Sequence, residues 1–173
     1  VLAFLPLDTA IECAGALRDD FGRAMGQEDD APTLSVGIAI GHNIESLEDL
    51  LHYAREAEKD AKNPDRNGLA VHFYPRGGQP LKIRRRWPTG IAGHLMELAR
   101  VYKDELFPDG AAFELREMAR HYELWDKLKP PPSDDEKRAA IRADAYRVLA
   151  RKAAAQSEKE QVRKLLEPRC DNG

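Results

Sequence analysis

The chain has 173 residues, 27 Lys+Arg against 30 Asp+Glu, a formal net charge of −3, 42% hydrophobic and 33% charged residues. That length holds one domain or two small ones, and the apolar content is too high for a chain disordered throughout. No apolar run approaches the roughly 20 residues of a membrane helix, the charge is not that of a generic basic nucleic-acid binder, and two cysteines cannot make a disulfide scaffold.

Residue 1 is Val, not Met, there is no signal peptide, and the chain reads as a cytoplasmic segment of something longer. Val1–Leu5 is an apolar run closed by Pro6, which suits a buried strand. Thr9 and Glu12 have capping-box spacing, and Ala10, Ala14, Leu17 and Phe21 then recur at helical spacing as far as Gly26. Glu28-Asp29-Asp30 sits in a polar loop and reads as solvated rather than as a cation site, because hard cations need converging oxygens.

Leu34–Ile40 alternates, with Leu34, Val36, Ile38 and Ile40 on one face and Ser35, Gly37 and Ala39 on the other. The bare second face lets a helix or a ligand approach the backbone. Ser46 can cap a helix striped by Leu47, Leu50, Leu51, Ala54 and Ala61, which must end at Asn63 because Pro64 follows. Leu69–Tyr74 alternates again, Gly77-Gly78 suits a hairpin turn, and Leu81–Trp87 is the return strand. The expected order over residues 1–87 is strand, helix, strand, helix, strand, strand, an α+β arrangement with helices on one face of the sheet.

Beyond Pro88-Thr89-Gly90 nothing reads as a strand, so residues 88–173 are expected to form an all-α domain. Ile91, Leu95, Leu98, Tyr102 and Leu106 mark one helix, and Leu115, Met118, Tyr122, Trp125 and Leu128 another. Pro130-Pro131-Pro132 is a stiff spacer. Ser133 and Glu136 then form a second capping box before a charged helical stretch to Leu166, interrupted near Ser157.

No self-sufficient active site is evident: no phosphate loop, no zinc-ligand spacing, no nucleophile elbow. The five histidines (His42, His52, His72, His94 and His121) are scattered and read as ordinary or satisfied. Cys13 lies on the apolar side of its helix, and Cys170 belongs to the tail. The segment from Ala61 to Gly68 stands apart: Lys62 at a helix end, then a tight turn with Arg66, directly before a strand. Two cations so placed can hold a triphosphate, Lys as a point charge and Arg as a planar fork. On spacing alone the better reading is that both are solvated and favour the helix C-terminus through its dipole. Lys82, Arg84 and Arg86 share one face of the last strand, where they fit RNA phosphates or, more simply, charges that keep an edge strand from pairing.

The pattern Ser35-Val36-Gly37-Ile38-Ala39, a helix, then Ala61-Lys62 and Asp65-Arg66-Asn67 resembles the second half of a GGDEF-type palm domain. Val1–Leu7, Ser35–His42, Leu50-Leu51, Ala54–Lys62 and a strand ending in Arg85-Arg86-Trp87 before a helical region resemble more specifically the large subunit of type III CRISPR effector complexes, Cmr type. Val1–Leu7 would then be the strand just after the Gly-Gly-Asp-Asp turn. The resemblance is specific over residues 1–87 and architectural over residues 88–173.

The resemblance implies a ferredoxin-like palm that joins ATP into cyclic oligoadenylates by two-metal catalysis, with Mg²⁺ or Mn²⁺, when the complex binds target RNA. The family's metal-binding aspartates would stand before Val1, so no catalytic or metal residue is assigned in this chain, which alone is expected to bind no cofactor and to make no cyclic product. Lys62 matches the family's phosphate-binding lysine and Arg66 the arginine of the following turn. For Lys62 the match outweighs the solvated reading. Ser35 and Gly37 match small strand positions beside the nucleotide, and His42 a family position that a loop-ordering hydrogen bond explains as well. The implied partners are the other subunits of the ribonucleoprotein, including the small helical subunit, and CRISPR RNA and target RNA indirectly, with no membrane. Two other readings stay open: a GGDEF-type diguanylate cyclase fragment that binds GTP, and a degenerate palm serving only as a protein and RNA scaffold.

Overall fold

A computed structural model describes residues 1–26, 31–105, 107, 110–125, 132–152, 159–160, 162–163 and 166. Contacts divide the chain into two compact units, Val1–Met96 and Glu97–Cys170. The first unit runs α1 (Ala10–Met25), β1 (Val36–Ile40), α2 (Leu47–Lys62), β2 (Gly68–Phe73) and β3 (Leu81–Arg86), followed by a 3₁₀ turn at Trp87–Thr89 and the start of α3 (Ile91–Lys103). The sheet order is β1-β2-β3. β1 and β2 are parallel, with Val36 opposite Leu69 and Ile40 opposite Phe73. β2 and β3 are antiparallel, with Phe73 opposite Leu81 and Gly68 opposite Arg86.

Helix α2 has the ends that its sequence requires. Ser46 is extended and its Oγ accepts from the Asp49 N–H at 3.0 Å. Asn63 leaves the helix at φ −100° and ψ 143°, as a residue before proline should. The helix lies on the bare face of the parallel pair. Ala57, Ala61 and Ala70 are fully buried there, and a Cβ at Gly37 would stand 2.1 Å from the Glu58 nitrogen and 2.3 Å from the Ala57 carbonyl carbon. Small residues on both sides let the helix backbone sit directly on the strand.

The opposite face carries the bulky residues. Leu69, Val71, Trp87 and Ala14 of α1 form a buried cluster, against which Val36, Ile38, Ile40, Ile91, Ala92 and Leu95 pack. Helices therefore cover both faces of the sheet, not one as the pattern suggested. The reason lies in β1 and β2: one face is bulky and apolar, the other is nearly bare and carries the buried His72, so both must be covered. Trp87 donates its indole N–H to the Leu34 carbonyl at 2.9 Å, which satisfies its one polar atom while the ring fills the cluster.

Two expectations at the amino end fail. Val1–Leu5 is not a strand; Leu2, Phe4 and Leu5 are exposed, and no described strand lies beside them to supply hydrogen bonds. Thr9 flanks α1 but makes no side-chain cap, because its backbone is helical (φ −107°, ψ −10°) rather than extended; its hydroxyl donates to the Pro6 carbonyl at 3.2 Å. Cys13 is half-buried. His42 orders its loop, its Nδ1 accepting from the Ile44 N–H at 3.3 Å.

The second unit holds the rest of α3, α4 (Gly110–Glu123) and α5 (Asp134–Lys152). Phe107, Ala111, Leu149 and Val162 are its buried cluster, with Val101, Tyr102, Leu115 and Leu166 packed around it. The capping box at the start of α5 forms in both directions: the Glu136 N–H donates to Ser133 Oγ at 3.3 Å, and the Ser133 N–H to Glu136 Oε2 at 2.9 Å. The Tyr122 hydroxyl donates to Asp144 at 2.6 Å, joining α4 to α5. Among the described residues, no helix is long and apolar enough to cross a membrane. Glu28-Asp29-Asp30, Leu106, Leu128, Pro130-Pro131, Ser157 and Cys170 lie outside the described residues.

Candidate functional site

The turn between α2 and β2 gathers Lys62, Asp65 and Arg66 within five residues of chain. The helix closes onto it, the Arg66 N–H donating to the Lys62 carbonyl at 2.9 Å. Arg66 and Asn67 then adopt left-handed backbone, φ 53° and 46°, before β2 begins. The Asn67 carbonyl accepts from the Trp87 N–H at 2.9 Å, so the turn's far end is tied to the core tryptophan.

Lys62 and Arg66 are exposed on this turn, one residue inside the helix and one beyond it. The Lys62 ammonium rests on Glu58 Oε1 at 2.5 Å, one helical turn back. That hydrogen bond holds the Glu58 carboxyl below the usual carboxylate range, and the nearby Lys62 and Arg55 charges add to the effect. The Arg66 guanidinium has no acidic partner among the described residues. Ser35 is half-buried just before β1, and Gly37 is in β1 with α2 backbone filling the space beside it. Lys62 and Arg66 therefore lie on the same turn of chain, the Lys62 ammonium on Glu58, whereas Gly37 serves the approach of the helix that carries Lys62.

The three cations of β3 face α2, and each has an acid there. Lys82 Nζ lies 3.3 Å from Glu56 Oε2. Arg84 pairs with Asp65, and Arg86 Nε lies 3.4 Å from the other Asp65 oxygen. This row is a set of ion pairs from β3 to the helix and its turn, which spacing within β3 alone could not reveal. Asp65 is held below the ordinary carboxylate range chiefly by its hydrogen bond from Arg84.

Sequence reasoning also passed over the group behind the turn. His72 is fully buried on β2 under α2. Its Nε2 is 2.9 Å from Asp60 Oδ2 and its Nδ1 3.4 Å from the Tyr74 hydroxyl. Tyr74 stacks on Tyr53 at 3.7 Å and donates to Glu56 at 2.8 Å. The alternation of β2, which puts Ala70 and His72 on the face opposite Leu69 and Val71, carried the signal. Burial, then the nearby Lys82 charge, push the His72 pKa below its ordinary value, against the opposing pull of Asp60 and Glu56. The folded state then binds fewer protons than the unfolded one below about pH 6.5. Stability from this group is complete above that pH and is lost as pH falls toward the lower folded value. Urea titrations from pH 7 to pH 5 should show a falling midpoint, and His72→Gln should flatten that fall; an equal slope in the variant would remove His72 as its source.

Among the described residues, no three His, Cys, Asp or Glu side chains converge as a metal site. The acids at the turn are engaged with Lys62, Arg84 and Arg86, so these residues do not fit a two-metal centre by themselves and suit an anion better.

Comparison with known proteins adds a family likeness. Residues 1–70 match the family described as Cas10/Cmr2, second palm domain. The chain is 31% identical over 132 residues to the protein named CRISPR system Cmr subunit Cmr2 of Pyrococcus furiosus. That match covers 74% of this chain and 15% of the relative, so the chain spans a small part of the relative's length. No solved structure matches the chain.

Proposed function

We propose, for a chain whose residues 1–70 match the Cas10/Cmr2 second palm domain, that the turn after α2 binds the phosphates of a nucleotide within the large subunit of a type III CRISPR complex. In that reading the intact subunit converts ATP into cyclic oligoadenylate when the assembly engages target RNA. Lys62 supplies a point charge and Arg66 a planar fork to the triphosphate. Divalent cations, when bound, would supply activation of the attacking hydroxyl and neutralisation of the reacting phosphate, and none of the residues assigned here holds them. The charged helices of residues 88–173 dock on neighbouring subunits in the cytoplasm.

The observation that carries the reading is that Lys62 and an exposed Arg66, without an acidic partner among the described residues, stand on one turn, with Arg55 adding positive charge near Glu58. Lys62 need only exchange one exposed carboxylate for a phosphate. Ser35 supports β1 at the edge of this region, and Gly37 lets α2 bring Lys62 close to the sheet.

Lys62→Ala, made in the full-length subunit within its assembled complex, tests this. Loss of one charge-assisted contact is worth about 10- to 100-fold in apparent ATP affinity. Unchanged affinity would take Lys62 out of the site. An intact complex that shows no binding at millimolar ATP would favour the scaffold reading, and a preference for GTP over ATP the diguanylate cyclase one.

A further inference from the structure

Arg84 stands on β3, yet it holds the α2–β2 turn at two points. Its Nη2 pairs with the Asp65 carboxylate and donates to the Arg66 carbonyl at 3.0 Å. Arg86 braces the same carboxylate from the next position along that face. The Arg84 side chain is 22% exposed, against 50% for Arg86, and its Nε is buried with no hydrogen-bond partner.

The space for this guanidinium is built into β2. A Cβ at Gly68 would stand 3.0 Å from Arg84 Nη2, 3.1 Å from its Nε and 2.6 Å from the Ala61 carbonyl oxygen. The turn itself needs holding, because Arg66 and Asn67 both have left-handed backbone that costs about 1–2 kcal/mol at a non-glycine residue. Arg84 grips the carbonyl of the first of them and the side chain of the residue before it. Both bonds leave Nη2, which stands one bond further from the backbone than a lysine Nζ, so a lysine would fall short of the two acceptors.

We propose that Arg84 is a positioning residue: clamped to Asp65 and to the Arg66 carbonyl, it fixes the turn so that the Lys62 and Arg66 side chains address one anionic ligand together. The inference rests on the reading of those two residues as phosphate ligands and goes beyond it. Arg84 acts through the turn, its Nη2 being committed to Asp65 and the Arg66 carbonyl.

The test uses the full-length subunit in its complex, titrated with Mg²⁺-ATP and, separately, with adenosine. Arg84→Gln should weaken ATP by about tenfold, the scale of one misplaced charge-assisted contact, and leave adenosine unchanged. Arg84→Lys should fail to restore ATP affinity, although it keeps the charge and is the variant less prone to unfold. In the Lys62→Ala, Arg66→Ala background, Arg84→Gln should have no further effect, because the groups it positions are gone.

Each other outcome overturns a definite statement. If Lys62→Ala weakens ATP while Arg84→Gln does not, the positioning role falls and the phosphate site stands. If Arg84→Gln weakens ATP and adenosine alike, or costs the same factor in the background lacking Lys62 and Arg66, Arg84 serves the fold generally and the inference is wrong. Should Lys62→Ala be silent, the phosphate reading and the inference fall together.

Discussion

Replacing Gly37 by valine is expected to cost the first compact unit about 3 kcal/mol, at the upper end of what overpacking costs, because the added atoms would meet main chain rather than a side chain that can turn aside. A Cβ alone would lie 2.1 Å from the Glu58 nitrogen, so Gly37→Ala should already be harmful. The strand cannot yield by itself, since Gly37 pairs with Ala70 and its neighbours Val36 and Ile38 are packed against the cluster on the other face. The helix must therefore lift. Ala57 and Ala61, both fully buried, would lose their contacts with the sheet, and Lys62 would move with them. Urea unfolding followed by far-ultraviolet circular dichroism measures the loss. A Gly37→Val midpoint within about 0.5 kcal/mol of the parent, the range of an ordinary surface change, would show that α2 does not pack where the structure puts it. On the phosphate reading of Lys62, the same displacement would weaken nucleotide affinity without Gly37 touching a nucleotide: through α2, which carries Glu58 and Lys62.

What could be read in advance follows the range of the interactions. The ends of α2 were legible because both are local: Ser46 meets the Asp49 N–H three residues on, and Pro64 acts on Asn63. The alternation of β1 and β2 was legible for the same reason, and so was the capping box at Ser133 and Glu136. The Glu58–Lys62 pair has i,i+4 spacing and could have been found from sequence. Partners far apart in the chain were not legible. Lys82 is 26 residues from Glu56, and Arg84 is 19 from Asp65. Only the antiparallel register of β2 and β3, combined with α2 on one face, brings them together. Without that register the row Lys82, Arg84, Arg86 reads as free charge. Val1–Leu5 has a strand's composition, but a strand is completed by a neighbour's hydrogen bonds, and composition does not state whether the neighbour is there. Thr9 shows the limit of a local motif: the spacing to Glu12 is right, but the Thr9 backbone is already helical and its oxygen does not face the free N–H groups.

Trp87→Ala should be the most damaging truncation on the bulky face, costing about 3–5 kcal/mol as large-to-small core changes of this kind do. The ring is 6% exposed and shares its cluster with Ala14, Leu69 and Val71, so α1, β2 and the start of α3 all lose packing at once. Two further bonds distinguish Trp87 from an ordinary apolar plug. Its indole N–H satisfies the Leu34 carbonyl just before β1, and its main-chain N–H satisfies Asn67 at the end of the candidate turn. Trp87→Phe separates these contributions. It keeps an aromatic ring and the main-chain bond but leaves the Leu34 carbonyl without its donor, for a smaller loss of about 1–2 kcal/mol. Nucleotide affinity in the complete complex should follow the main-chain bond rather than the ring, so Trp87→Phe should destabilise the fold while ATP binding at low temperature stays near the parent's. Equal unfolding midpoints for the alanine and phenylalanine variants would show that packing volume is not what Trp87 contributes. A Trp87→Phe protein that folds but binds ATP tenfold more weakly would mean that the indole bond to Leu34 controls the geometry of the turn across the sheet.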